Sequence, residues 1–135
     1  MKLELLANID VDNLESAIAF YRDALGLRLG RRLGSDAAEM LGASSPIFLL
    51  LKPAGTAPSE HVPQTRRYDR HWTPVHLDFA VPDADVAVAQ AKSAGAVLEG
   101  GIETHKWGRL ARMADPFGNG FCLIQFFGKG YDEIA

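Results

Sequence analysis

One structural unit is written twice in this chain, and that duplication limits the folds available to it. The stretch ANIDVDNLESAIAFYRDALGL, Ala7 to Leu27, and the stretch HLDFAVPDADVAVAQAKSAGAV, His76 to Val97, each run from an alternating segment through an acidic turn into a helical pattern ending at a glycine. Leu14, Ala17, Ile18 and Tyr21 in the first recur as Ala84, Ala87, Val88 and Ala91 in the second. This i, i+3, i+4, i+7 stripe belongs to a helix that lays one face on a core. With 135 residues, 47% of them hydrophobic, the chain can bury one core, so the repeats read as two halves of a single domain.

Alternation separates the two faces of each leading strand. Ala7, Ile9 and Val11 fall on one face, with Leu6, Asn8 and Asp10 on the other. In the second copy Leu77, Phe79 and Val81 oppose His76, Asp78 and Ala80. Asp12, followed three residues later by Glu15, resembles a capping box for a helix from about Asn13 to Leu25, closed by Gly26; Asp83 is placed to cap the second helix, which ends near Gly95. Leu29 to Met40 reads as strand, although SDAAEML also suits a helical turn. Ile47 to Lys52 reads as a buried strand, as do Gly108–Ala114 and Gly120–Phe126, joined by the turn ADPFGN. Lys52 to Pro74, with four prolines, reads as a mobile loop between the halves, and the polar tail GKGYDEIA is either frayed or docked.

Charge and cysteine usage exclude several classes. A net charge of −3 gives no basic stripe, so nucleic acid is not an expected partner. No apolar run is long enough to span a bilayer, and the amino terminus MKLELLANID lacks a signal-peptide core, so the expectation is a cytoplasmic protein with no membrane partner. The single cysteine, Cys122, cannot form an intramolecular disulfide.

The pairing of VDNLESAIAFYRDALGL with HLDFAVPDADVAVAQAKSAGA, followed by WGR and DPFGNGFCLIQF, resembles the vicinal oxygen chelate superfamily, whose members include glyoxalase I, extradiol dioxygenases and bleomycin-resistance proteins. The resemblance covers about residues 4 to 127. It implies an α+β fold of paired βαβββ modules, about 4–53 and 74–127, curving around a cavity and often completed by a homodimer. It also implies four places where such enzymes hold a divalent cation with His, Gln or Glu. Counted back seven from Asn13 and Asp83, the first-strand places are Leu6 and His76; counted from LLL and FCL, the last-strand places are Leu49 and Cys122. Only His76 is a standard ligand for such a site, and a cation needs several convergent donors.

The expectation is therefore a small-molecule-binding protein of the bleomycin-resistance type that uses no cofactor and holds a partly aromatic organic ligand in the cavity between modules. Its candidate ligand-binding residues are Asn8, Asp10, His76, Asp78, Trp107, Arg109 and Cys122. Trp107, beside a flexible Gly108, is placed to stack on a planar ligand, with Trp72 able to do the same from the opposite side. Arg109 and Arg112 are candidates for an anionic group, and the pair His76 and Asp78 for acid–base work or simple hydrogen bonding. The competing expectation is a metal-dependent lyase, isomerase or dioxygenase, with His76 joined by Asp10 or Asp78 around a divalent ion.

Overall fold

Each half of the chain folds as a sheet with one helix laid across it. The computed structural model describes all residues from Met1 to Ala135, in two compact units, Met1–Asp69 and Arg70–Ala135. The first unit contains β1 (Ala7–Val11), α1 (Leu14–Leu25), β2 (Arg28–Leu33), β3 (Ala37–Leu41) and β4 (Ile47–Leu51). The second contains β5 (Leu77–Ala80), α2 (Ala84–Ser93), β6 (Val97–Leu98), β7 (Glu103–His105), β8 (Gly108–Ala114), β9 (Gly120–Phe126) and a closing 3₁₀ turn, Gly130–Glu133. No helix is long and apolar enough to cross a membrane.

The two sheets share one plan. Their strand orders are β1-β4-β3-β2 and β5-β9-β8-β6, with β7 also paired to β8. In each, the leading strand pairs in parallel with the last one, a connection that needs a crossover, and the helix supplies its first part. All other pairings are antiparallel.

The helices begin and end for local reasons. The Asn13 side chain accepts from the backbone N–H of Ser16 at 2.9 Å, and Asp83 accepts likewise from Val86 at 3.1 Å. Thus Asn13 caps α1, one residue after the expected Asp12. Gly26 adopts φ 69°, a left-handed position suited to glycine, and donates its N–H to the Arg22 carbonyl at 2.9 Å. Leu14, Ala17, Ile18 and Tyr21 are buried as the stripe requires, together with Ala84, Val88 and Ala91 of α2.

Two differences from the sequence reading have physical causes, and one open alternative is resolved. The chain between α2 and β8 forms two short strands, β6 and β7, where the residues alone suggested none and the βαβββ plan implied one; they are separated by Gly100 and Gly101, and Gly100 has φ 78°. The 53–74 region is anchored at several points rather than a bare loop: the Gly55 N–H donates to the Arg66 carbonyl, the Arg66 N–H donates to the Thr56 carbonyl, and the Tyr68 hydroxyl donates to the Lys52 carbonyl at 2.6 Å. Of the two alternatives for the tail, frayed or docked, it takes the second, with Tyr131 edge-on to Phe126 at 4.9 Å between ring centres.

Candidate functional site in the second unit

Strand parity decides which side chains meet. On β9 and β8, Leu123 and Ala111 are fully buried beneath α2, and the Gln125 side chain accepts from the Ala84 N–H at 2.9 Å. The opposite parity places Asp78, Cys122 and Arg112 side by side on the face away from α2. Asp78 is the register partner of Cys122 across β5 and β9, and Cys122 is that of Arg112 across β9 and β8. His76 precedes β5 by one residue and therefore shares this face.

These residues form a connected group. His76 Nδ1 lies 2.9 Å from Asp78 Oδ1, and a ligand atom from each of His76, Asp78 and Cys122 lies within 4.8 Å of the others. Burial pushes the Cys122 thiol up to about 11, reinforced by the charge and hydrogen bonding of Asp78 and partly opposed by Arg112. Cys122 is thus a neutral thiol near neutral pH, unsuited to nucleophilic attack.

A cavity of about 130 Å³ opens beside the group, and all its lining residues belong to the second unit. Its wall includes Arg70, Trp72, His76, Glu99, Arg112 and Cys122. Arg70 grips Glu99 through two bonds of 2.6 and 2.9 Å, which hold the Glu99 carboxyl below its ordinary range. Arg70 also donates to the carbonyls of His71 and Gly118. Arg112 pairs with Glu103, which His105 also contacts at 3.1 Å. The charged groups of the wall are therefore matched in pairs, while the Trp72 indole is 77% exposed.

The other sequence candidates lie elsewhere. Trp107 does not line this cavity; it stacks flat on His105, with ring centres 4.9 Å apart and planes within 4°, and touches Tyr131 at 5.2 Å. Gly108 beside it serves close approach rather than flexibility, since a Cβ there would sit 2.2 Å from the Gln125 carbonyl oxygen. Arg109 is on the helix-covered side, bonded to Asp85 in the first turn of α2 at 2.6 and 3.2 Å. In the first unit Asn8 is exposed, and Asp10 accepts from Arg66 Nε at 2.7 Å, fastening the following segment to β1. Arg70 and Glu99 were not among the sequence candidates, and neither sits in a pattern that would have singled it out.

One position in the sequence count shifts. Asn8, five residues before its helix cap, pairs with Phe48, whereas Asp78, five before its own cap, pairs with Cys122. Phe48 is therefore the counterpart of Cys122. Leu49 instead pairs with Ile9 and, like its counterpart Leu123, is fully buried. The count for the leading strands stands, because it starts from the two residues that cap the helices, and it keeps Leu6 as the counterpart of His76.

Comparison with known proteins agrees with this plan. The structure resembles a glyoxalase/bleomycin resistance protein/dioxygenase family enzyme from Burkholderia phytofirmans PsJN, with TM-score 0.71 and 19% identity over 90% of this chain and 97% of that one. It resembles a glyoxalase-related enzyme from Fulvimarina pelagi with TM-score 0.70 and 13% identity, covering 96% and 95% of the two chains. For a lactoylglutathione lyase from Agrobacterium tumefaciens the TM-score is 0.63 and the identity 16%, over 93% and 94%. At such identities the likeness speaks for the fold alone. No curated protein matches the sequence. The family model described as a glyoxalase-like domain matches residues 7–124, nearly the whole of both repeats, and the chain therefore belongs to the glyoxalase-like domain family within the vicinal oxygen chelate superfamily.

Proposed function

We propose that the open face of the second unit binds a small, partly aromatic organic molecule without a metal ion. The observation that carries this reading is the cavity of about 130 Å³ with an exposed indole at Trp72 and a wall whose charges are already paired. A space of this order suits about one six-membered ring, since an apolar cavity of about 150 Å³ admits benzene. Trp72 offers such a ring a stacking surface, and His76 offers it a hydrogen-bonding group. A screen of small planar compounds followed by tryptophan fluorescence tests the reading, with quenching expected in the wild type and lost in Trp72→Phe. Hits that quench both proteins equally would move the site away from Trp72.

A second reading is favoured by the donor set His76, Asp78 and Cys122. Imidazole, carboxylate and thiolate together suit a borderline ion such as Zn²⁺, and three donors would leave a position for water or substrate, where the ion supplies Lewis acidity. Against it, Cys122 must surrender a proton that burial and Asp78 hold tightly. Adding Zn²⁺ should leave the thermal midpoint unchanged if the metal-free reading is right. An ion that binds only the native state stabilises it by about 2.7 kcal/mol at a hundredfold excess over its dissociation constant, so an upward shift abolished in His76→Ala would select the second reading.

The proposal includes a homodimer, supported by the exposed apolar side chains of Leu3, Leu5 and Leu6. Sedimentation equilibrium returning the monomer mass of 14.7 kDa at micromolar protein would remove that part alone.

A further inference from the structure

We infer that Arg70 sets the size limit of this pocket: its guanidinium, laid over Gly120, closes the cavity at the start of β9, so the site takes compounds of one ring and turns away fused two-ring ones. The inference rests on the binding reading above and adds the residue that selects the ligand.

The open face of β8 and β9 is built in rows. Cys122 and its register partner Arg112 make one row, while Gly120 and its partner Ala114 make the next, two residues back along β9. Rows on one face follow each other at about 7 Å, close to the breadth of one aromatic ring. The Gly120 row carries a single methyl group, from Ala114, and by itself would leave the cavity open in that direction. Arg70 fills the space instead. A Cβ added to Gly120 would meet Arg70 Nη2 at 2.7 Å, Cζ at 3.2 Å and Nη1 at 3.3 Å, which places the guanidinium over the glycine on the side that a side chain would take. Arg70, Gly120 and Cys122 all line the cavity.

The bonds of the guanidinium make it a firm wall. Nε and Nη2 donate to the two Glu99 oxygens at 2.6 and 2.9 Å, and Nη1 donates to the carbonyls of His71 and Gly118. Its partners are fixed in turn: the Glu99 N–H donates to the Arg112 carbonyl at 2.8 Å, and the His71 N–H to the Gly118 carbonyl at 3.1 Å. A planar fork held at each of its nitrogens cannot withdraw without giving up these bonds. A ligand that ends at the Cys122 row leaves them intact, whereas one that extends over Gly120 must break them. The Arg70 and Glu99 side chains are 38% and 35% exposed, so this wall can be removed without cutting into the buried core.

The test uses benzyl alcohol and 2-naphthalenemethanol, two uncharged probes with the same hydroxymethyl group that differ by one fused ring. Titrations are followed by the indole N–H resonances of the tryptophans. The wild type should bind the two-ring probe no more tightly than the one-ring probe. Arg70→Ala should prefer the two-ring probe by at least about tenfold, since the second ring brings about four more carbons into the cavity. Glu99→Gln keeps Arg70 and the size of the wall but removes the charge that grips the guanidinium, and should move the ratio the same way by less. It decides the matter should Arg70→Ala fail to fold. A wild type that already prefers the two-ring probe tenfold, or a ratio unchanged in the variants, would overturn the size limit and leave the pocket in place. Failure of both probes to bind the wild type and the variants would overturn the pocket and the inference together.

Discussion

Cys122 and Asp78 are register partners across the parallel pair of β5 and β9, and a thiol set beside a carboxylate in a half-buried position holds its proton firmly. Because the thiolate is the reactive species, alkylation of Cys122 by iodoacetamide should be slow at neutral pH and rise about tenfold per pH unit toward the thiol's value of about 11. Asp78→Asn removes the charge and should speed the reaction at any fixed pH. A rate already levelling off near the free-cysteine value of about 8.5 would contradict the arrangement.

The same group makes stability depend on alkali. The folded thiol titrates near about 11 against an ordinary 9.0, so the native state binds this proton more tightly than the unfolded chain does. Its contribution is fully present below pH 9.0 and is lost as pH rises toward about 11. Urea unfolding across that window should show a steeper loss of stability for the wild type than for Cys122→Ala. Parallel slopes would mean that the thiol is not linked to folding.

Much of this architecture is legible in the sequence because it rests on short-range signals. Gly26 and Asp83 stop and cap helices within one turn, the cap of α1 falls at Asn13, one residue past the expected Asp12, and the stripe from Leu14 to Tyr21 repeats at helical spacing. The faces of the leading strands are legible too, since polar Asn8, Asp10 and Asp78 alternate with apolar neighbours. The register of the last strands is not. Leu49 through Leu51 are all leucine, and a uniformly apolar run carries no period-2 mark to separate Phe48 from Leu49. Arg109 and Arg112 lie three apart on β8 and so face opposite sides, a parity that disqualifies one of them once the helix-covered side is fixed by Gln125. The wall contributed by Arg70 and Glu99 joins residues 29 apart in sequence, and no local pattern announces such a pair.

Trp72 and Trp107 should separate under mutation. Trp72→Ala should weaken ligand binding several-fold with little change in stability, because its indole is mostly exposed and stacking is worth about 0.5–1.5 kcal/mol. Trp107→Ala should do the reverse, since it removes the ring that joins His105 to Tyr131 and docks the carboxy-terminal turn. Isothermal titration paired with urea unfolding reads both effects. Loss of affinity in Trp107→Ala alone would return the ligand to the aromatic cluster.

Arg109→Ala should leave ligand affinity unchanged, because its guanidinium lies on the covered side against Asp85. The Asp85 partner is 66% exposed, so solvent screens the pair and the stability loss should be small. Arg112→Ala, by contrast, alters the cavity wall and should change affinity. Binding measurements that reverse this order would place the ligand on the α2 side of the sheet.

Two glycines test how tightly the site is built. A Cβ at Gly108 would meet the Gln125 carbonyl oxygen at 2.2 Å and the Phe126 Cα at 3.1 Å, both backbone atoms fixed by the β8–β9 ladder. Gly108→Ala must therefore part the two strands, and a loss of about 3 kcal/mol in unfolding free energy is expected. At Gly120 the obstruction is the Arg70 guanidinium, with Nη2 2.7 Å from the added carbon. That group is the end of a flexible side chain and can swing away, but only by giving up its two bonds to Glu99. Gly120→Ala should accordingly cost about 1 kcal/mol or less, while freeing the Glu99 charge at the cavity wall and changing the affinity of the pocket for its ligand. If Gly120→Ala binds a planar compound found by the fluorescence screen as tightly as the wild type does, the matching of Arg70 with Glu99 plays no part in setting the charge of the pocket.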